Sequence, residues 1–344
     1  MSRQPGSATT ALPPITLLDI GMSNDGHRSD YVDCLSRLFT IDRRPPGIAS
    51  VFSARPALVP SIEESLAIYA LVALVRAILG RRTVGLLLRP GPVVTRQSLR
   101  HRLKGLILRV LRRVPRVHTL TILPFTVEPG FAAIADGWIY DLQLWDLTVG
   151  VGAGTTADAH ASTLGSDVRA IANGRPVCSA LGRQVRDKGF DWFADLYVAS
   201  PALRQAALFV VGGRISADLQ DRRQALEQAG GHVCDRLISN RELLDLYAVS
   251  DLVWCAYAPD YDQASGILGR ATQMGIPVVV RSGSLIHRLC TLEGFPHVAI
   301  DAEADGRQLA APPPRDDPDA ATARARRFAA ASIRQLRQAL GITA

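Results

Sequence analysis

Cysteine is sparse in this chain and follows no pattern. Five residues (Cys34, Cys178, Cys234, Cys255, Cys290) are spread over 344 positions, with no CxxC pair and an odd total. That excludes a disulfide framework and a CxxC zinc site, and it suits a reducing compartment. Lysine is nearly missing: Lys104 and Lys188 stand alone among many arginines, a bias that fits GC-rich coding. Aromatic residues make up only 6% of the chain, so cores built from Leu, Val, Ile and Ala are expected. No long apolar run exists. The longest, residues 66–75, stops at Arg76 and falls far short of the ~20 residues that span a bilayer. The first 14 residues lack the layout of a signal peptide and read as a disordered leader. Together these features point to a cytoplasmic protein.

What remains is ordinary globular material, 47% hydrophobic and 21% charged, in a length that suits two domains. The net charge of +7 lies wholly in the first half, because residues 151–344 carry 21 cations and 21 anions. Short β-rich runs alternate with helical patterns almost throughout. Strands are expected at 15–20, 48–52, 83–88 and 117–123, then at 177–181, 208–211, 252–257, 278–280 and 298–300. Helices are expected between them, including a buried one at 62–79, a basic one at 97–113 and a last one at 321–340. Continuous apolar strands separated by helices mark parallel sheets covered on both faces. The Gly/Ala/Thr-rich stretch 151–166 reads as a linker. The architecture expected is α/β: an N-terminal Rossmann-like domain over 15–150, a second over 167–310, and a break with a C-terminal helix over 311–344.

Ligands of open parallel sheets bind at the carboxyl ends of strands, where helix N-termini present free amides to anions. Three strand-end loops therefore stand out. After the first strand come Gly21, Gly26 and His27; the glycines admit close backbone approach, and the imidazole suits proton transfer or a sugar hydroxyl. The run is not GxGxxG, and no acidic ribose reader is placed for a dinucleotide. A tight turn at a helix start is the plainer reading. After strand 177–181 come Gly182, Arg183, Arg186 and Lys188, a planar fork and a point charge suited to a diphosphate, or else a solvated basic loop. After strand 252–257 come Asp260, Tyr261 and Asp262, then Ser265 and Gly266, which read as an N-cap and first helical turn. Carboxylates there suit sugar hydroxyls, and the helix start suits phosphate; the alternative is a loop its acids merely keep solvated.

The run "ALGRQVRDKGFDWF" resembles the G-R-x-x-x-x-K-G-x-D segment of GT-B glycosyltransferases, in particular their large retaining family four. "NRELLDLYAVSDLVW" and "DLVWCAYAPDYDQASGILGRATQMGIPVVV" are similar to two later segments of that family, in the right order and spacing. The similarity covers roughly residues 168–292; the N-terminal half shares only the layout of strand, glycine loop with a histidine, and helix. The resemblance implies two Rossmann-like domains with a cleft between them. It implies a sugar transferred from a nucleotide-sugar donor in the C-terminal domain to a glycan or lipid-linked acceptor in the N-terminal one. Retention of configuration is implied, without metal or other cofactor. Arg183 and Lys188 match the diphosphate pair, and Ser265 and Gly266 fall where the helix start meets phosphate or sugar. His27 and Asp262 are the catalytic candidates; Gly21, Gly26, Asp260 and Arg270 would line the cleft. The first of the family's two spaced glutamates falls on Asp262. The second, which holds the ribose, falls on Arg270, which cannot accept a hydroxyl hydrogen bond. Arg270 is expected instead to meet a phosphate, or to pair with Asp260 or Asp262.

Two other readings stay open: an epimerase or hydrolase of nucleotide sugars on the same fold, and an inactive sugar-nucleotide-binding partner protein, which Arg270 favours. Residues 95–118 hold eight cations and no acid, with Leu99, Leu103, Leu106, Ile107 and Leu111 giving an apolar face. That pattern suits contact with an anionic membrane surface, and equally a solvated helix in an arginine-rich chain. Nucleic acid is disfavoured, since stacking aromatics and DNA-binding motifs are missing.

Overall fold

The computed structural model describes residues 14–18, 26–44, 51–63, 65–95, 98–150, 163–301, 303 and 306–342, the side chains of 26–30 and 43–44 excepted. The leader through residue 13, Gly21, the linker through 162 and the side chain of His27 lie outside the described residues.

Two compact units emerge. The first comprises Met1–Phe125, Gly130–Ile139 and Ala331–Ala344; the second comprises Thr126–Pro129 and Tyr140–Ala330. Residues 140–150, assigned by sequence to the first domain, group with the second.

Unit 1 is a parallel six-stranded sheet in the order β2-β1-β3-β4-β5-β6. Its strands are β1 (Ile15–Leu18), β2 (Ile41–Arg44), β3 (Ala57–Val59), β4 (Thr83–Leu87), β5 (Val117–Thr121) and β6 (Gly137–Trp138). Its helices are α1 (Gly26–Leu38), α2 (Leu66–Ile78), α3 (Gly91–Thr95) and α4 (Leu99–Leu111). β1, β3 and β4 are buried throughout, as their unbroken apolar runs require. The expected strand at 48–52 is displaced. Val51 lies in a helical turn, residues 48–50 are outside the described set, and the second strand is β2, whose sequence IDRR hides it. An edge strand can carry such charges because only one side of its backbone is paired. The core joins Leu18, Val59, Ile62, Tyr69, Ala73, Leu108 and Leu111.

α2 departs from expectation in a second way. It was read as buried, yet Ile68, Leu71, Leu74, Ile78 and Leu79 are exposed. Its single charge, Arg76, points inward and is fully buried. The guanidinium donates to the carbonyls of Val51 (2.9 Å), Ser53 (3.2 Å), Arg55 (2.6 Å) and Arg82 (3.2 Å) and to Thr83 Oγ1 (3.0 Å). It thereby anchors the chain entering β3, and burial lowers its pKa to about 10.

Unit 2 repeats the plan in the order β12-β11-β10-β7-β8-β9, every pair parallel. The strands are β7 (Val177–Leu181), β8 (Leu208–Gly212), β9 (His232–Cys234), β10 (Leu252–Cys255), β11 (Val278–Arg281) and β12 (His297–Ile300). The helices are α5 (Leu164–Ala172), α6 (Phe190–Ala199), α7 (Pro201–Ala206), α8 (Gln220–Gln228), α9 (Asn240–Val249), α10 (Gly266–Gln273), α11 (Leu285–Glu293) and α12 (Pro318–Leu340), whose last ten residues count to unit 1. The few aromatics are concentrated in this core. Phe193 stacks on Phe209 at 4.6 Å, Tyr197 on Phe209 at 4.6 Å, and Trp254 meets Phe193 edge-on at 5.3 Å. α6 presents Phe190, Phe193 and Tyr197 at helical spacing, so a low overall aromatic content still yields an aromatic core here.

Candidate nucleotide-binding site

Strand order locates the site. In unit 2 the chain starts at central β7, runs outward through β8 and β9, then returns to β7's other side with β10. The loops after β7 and β10 leave in opposite directions, which opens a crevice at their carboxyl ends. These are two of the three loops that the sequence singles out.

The two loops pack tightly. Ala258 N donates to Asp187 O at 3.0 Å. Gly189 has φ +70°, and a Cβ there would overlap the carbonyl oxygen of Ala256. Glycine is therefore required on both conformational and steric grounds. It follows a short 3-10 turn, Arg186–Lys188, and starts α6. Arg183 is exposed and pairs with no acid among the described residues. Lys188 is half-buried, so the loop is not simply a solvated basic one. Its ammonium lies close to Gly182, whose other near neighbour is Ile267 in the first turn of α10. Burial lowers the Lys188 pKa, and Arg183 adds to the effect, while Cys255 opposes it. No carboxylate partners Lys188 among the described residues, so a half-buried cation is left without its counter-charge.

α10 supplies the facing wall. Ser265 is its N-cap, accepting from Leu268 N at 3.4 Å and sharing a 2.5 Å hydrogen bond with the buried Tyr257 hydroxyl. Gly266 is the first helical residue, and the side chain of Gln143 lies against it. Arg183, Lys188, Ser265 and Gly266 thus come to one end of one sheet.

The remaining candidates go elsewhere. The Asp262 carboxylate accepts from Leu285 N at 2.8 and 3.0 Å and lies 3.5 Å from Arg281, so it caps the first turn of α11. Burial raises its pKa against the pull of those partners. Asp260 is exposed in the turn Pro259–Tyr261. Arg270 pairs with neither aspartate of the loop. It is 7% exposed and donates from Nε (3.3 Å) and Nη2 (3.2 Å) to Asp146. Gln273 completes this network, donating to Asp146 Oδ1 (2.7 Å) and to Gln143 O (2.8 Å) and accepting from Leu147 N (3.2 Å). The cause is α10's register: Arg270 lies on the helix face that packs on residues 142–149. Of the loop after β1, only Gly26 is described, as the first residue of α1.

Sequence reasoning missed a pocket beside this site. About 610 Å³ opens beyond β7, β8 and β9, lined by Gly182, Arg183, Arg214, Ile215, Leu237 and Leu243 among others. Arg214 follows the Gly212-Gly213 pair that ends β8, a strand-end glycine signal of the kind that marked the other loops. The pocket's far wall is the start of α9, held by a capping box between Ser239 and Glu242. Arg236 clamps Glu242 with hydrogen bonds of 2.5 and 3.2 Å. Among the described residues no group of three His, Cys, Asp or Glu is placed to hold a metal ion.

No protein-family profile matches the chain. No curated protein matches it in sequence. Solved structures do. HepE of Anabaena, solved in complex with UDP, superposes with a TM-score of 0.63 at 14% identity over 96% of this chain and 100% of that one. Sucrose-phosphate synthase of Thermosynechococcus elongatus gives 0.53 at 14% identity, over 94% and 97%. WaaG, a glycosyltransferase involved in lipopolysaccharide biosynthesis, gives 0.52 at 14% identity, over 96% and 99%. With two Rossmann-like parallel sheets matched over nearly its whole length, the chain has the GT-B fold in a sequence far diverged from those of these proteins.

Proposed function

We propose that the protein is a glycosyltransferase that binds the diphosphate of a nucleotide sugar in unit 2 and passes the sugar to a glycan or lipid-linked acceptor. The observation that carries this reading is Lys188, half-buried without a counter-anion beside Gly182 and the first turn of α10. A cation in that state favours an anionic ligand, because the ligand restores the lost charge partner. Arg183 adds a fork for phosphate oxygens, and the α10 start adds backbone amides. The pocket by Leu237 and Leu243 offers the nucleoside an apolar wall.

In the reaction, the bond from sugar C1 to the phosphate oxygen breaks and its electron pair stays on the diphosphate. Lys188 and Arg183 neutralise that charge, so the leaving group departs without a metal. The acceptor hydroxyl oxygen forms the new bond to C1 and loses its proton. Retention of configuration is the reading the family resemblance favours. His27, at the second position of α1, is our candidate for a sugar hydroxyl or the proton. Asp262 we assign to holding the loop after β10 against α11.

A second reading has its own support. With Arg270 committed to Asp146, the position that the family uses for ribose offers no acceptor, which suits a protein that binds nucleotide sugars without turnover. Calorimetric titration of nucleoside diphosphates into the full chain, followed by nucleotide-sugar turnover assays, separates the two. Lys188→Ala should weaken binding by ~1.5–3 kcal/mol, the worth of a charge-assisted hydrogen bond. Unchanged affinity in both Lys188→Ala and Arg183→Ala would remove the site. Binding without release of nucleoside diphosphate from any donor would favour the inactive partner, and free sugar without acceptor a hydrolase.

A further inference from the structure

Backbone pairing beyond the strand ends fixes where Arg214 lies. The loops after β7 and β8 stay together where the strands finish. Gly182 N donates to Gly212 O at 2.8 Å, Gln184 N to Arg214 O at 2.8 Å and Ser216 N to Gln184 O at 3.0 Å. Gly213 permits this approach, with φ +136° and a Cβ that would overlap Gly182 O. The pairing ends in a parallel bridge between Gln184 and Ile215, both buried. Side chains alternate along an extended chain, so the preceding residues, Arg183 and Arg214, stand side by side on the opposite face. Both are exposed, and neither pairs with an acid among the described residues.

Strand order sets how far each group lies from the phosphates. Across β10, β7, β8 and β9 come the α10 start, then Lys188 and Arg183, then Arg214, then Leu237 in the chain that leaves β9. Strands lie ~4.8 Å apart, so Arg214 is one strand spacing further from the α10 start than Arg183. A nucleoside diphosphate with its phosphates at Lys188 and its nucleoside in the pocket of about 610 Å³ lays its base over the ends of β8 and β9. There Leu237, Ile238 and Leu243 give aliphatic walls, and every charged lining residue is an arginine. Arg236 is held by Glu242, and the Ser216 hydroxyl proton is spent on Asp218 Oδ1 at 2.6 Å. Arg214 is left to meet the edge of the base. A guanidinium only donates hydrogen bonds. It satisfies an oxo oxygen and meets an amino group donor against donor. We propose that Arg214 selects nucleotides whose base carries an oxo group at this edge (guanine O6, uracil or thymine O4) over those with an amino group there (adenine N6, cytosine N4). This selectivity rests on the nucleotide site proposed above and extends it to the choice of donor base.

Calorimetric titration of the full chain with inosine diphosphate and with adenosine diphosphate tests it, because the two differ at C6, oxo against amino, and in the N1 proton that follows from it. Inosine diphosphate should bind on the order of 10-fold tighter or more, the worth of a well-placed guanidinium contact to a base edge. Guanosine and uridine diphosphates should likewise bind more tightly than adenosine and cytidine diphosphates. Arg214→Ala should bring the inosine-to-adenosine ratio close to one while circular dichroism and melting temperature are unchanged. Arg214→Gln, whose amide oxygen accepts from an amino group, should lower the ratio as well. Equal affinity of the wild-type chain for the two nucleotides overturns the proposal, and this comparison needs no variant to fold. A loss in Arg214→Ala that is uniform across all bases makes Arg214 a phosphate ligand and overturns it too. Lys188→Ala separates the base contact from the phosphate site, since it should weaken every nucleotide alike and leave the ratio intact. A base preference that Arg214→Ala abolishes, in a chain whose affinity Lys188→Ala and Arg183→Ala leave unchanged, would remove the diphosphate assignment and uphold Arg214. No binding of any nucleoside diphosphate overturns both.

Discussion

Arg270 stands where the resembled family places a ribose-binding glutamate, and its pairing with Asp146 makes the consequence of changing it calculable. Both side chains are nearly buried, at 8% and 2% exposure, and meet at 3.2 Å. Asp146→Ala leaves a guanidinium in the interior without its counter-ion, at a cost of ~3–5 kcal/mol. Arg270→Met leaves the carboxylate with Gln273 and should cost a similar amount. Replacing both, as Asp146→Leu with Arg270→Met, removes the two desolvated charges together and should be close to neutral. The cycle should therefore show a coupling of several kcal/mol, well beyond the ~0.5 kcal/mol scatter of independent sites. Arg270→Glu sets two carboxylates against each other and should be at least as damaging as Arg270→Met. It should loosen α10, and so should not raise glycosyl transfer even though it restores the family's residue. The assay is native-state hydrogen exchange at amides 142–149 and 266–273, because one global melt of a two-unit chain does not report a local free energy. Additive single effects, or an Arg270→Glu protein with unchanged exchange and higher activity, would refute the reasoning.

Acid should open the wall of the pocket beside α9 before the rest of unit 2. The Arg236 guanidinium, then the Ser239 amide, hold the Glu242 carboxyl at about 2. A folded value below the unfolded one gives stability that is complete above the ordinary carboxylate range and is lost as pH falls toward 2. Exchange at the first turn of α9 should accelerate in that window, and Glu242→Gln should remove the pH dependence. Lys188 has the opposite sign: its lowered folded pKa is a destabilising term below that value, relieved as pH rises toward that of a free lysine. Nucleoside diphosphate affinity should fall with rising pH earlier than a free lysine would dictate, measured by titration from neutral to alkaline pH. Gly189→Ala should unfold or distort the junction of the loops after β7 and β10, since the Cβ overlaps Ala256 O at φ +70°. Thermal shift and nucleotide affinity should both report it, and a variant normal in both would show that the loops yield easily.

The alternation of apolar runs with helical patterns was enough to specify two parallel α/β sheets, because a strand buried on both faces must be apolar along its whole length. Loop positions followed from the same logic, so Arg183, Lys188, Ser265 and Gly266 were legible as a group from sequence alone. Strands that carry few apolar residues were not: β2 reads IDRR, and β9 is only half-buried, because edge strands need not be hydrophobic. Which way a helix faces was also undetermined. The composition of α2 says only that it is apolar; that Arg76 turns in and Ile78 turns out depends on carbonyls of residues 51–55 and 82 lying within reach of the guanidinium. The partner of Arg270 was hidden for a similar reason. Asp146 is more than a hundred residues away in the chain, and sequence spacing carries information only about neighbours on the same helix or strand. Local periodicity determined the elements and the ends where chemistry gathers. Long-range packing decided which charges were already neutralised and which, like Lys188, were left without a carboxylate partner among the described residues.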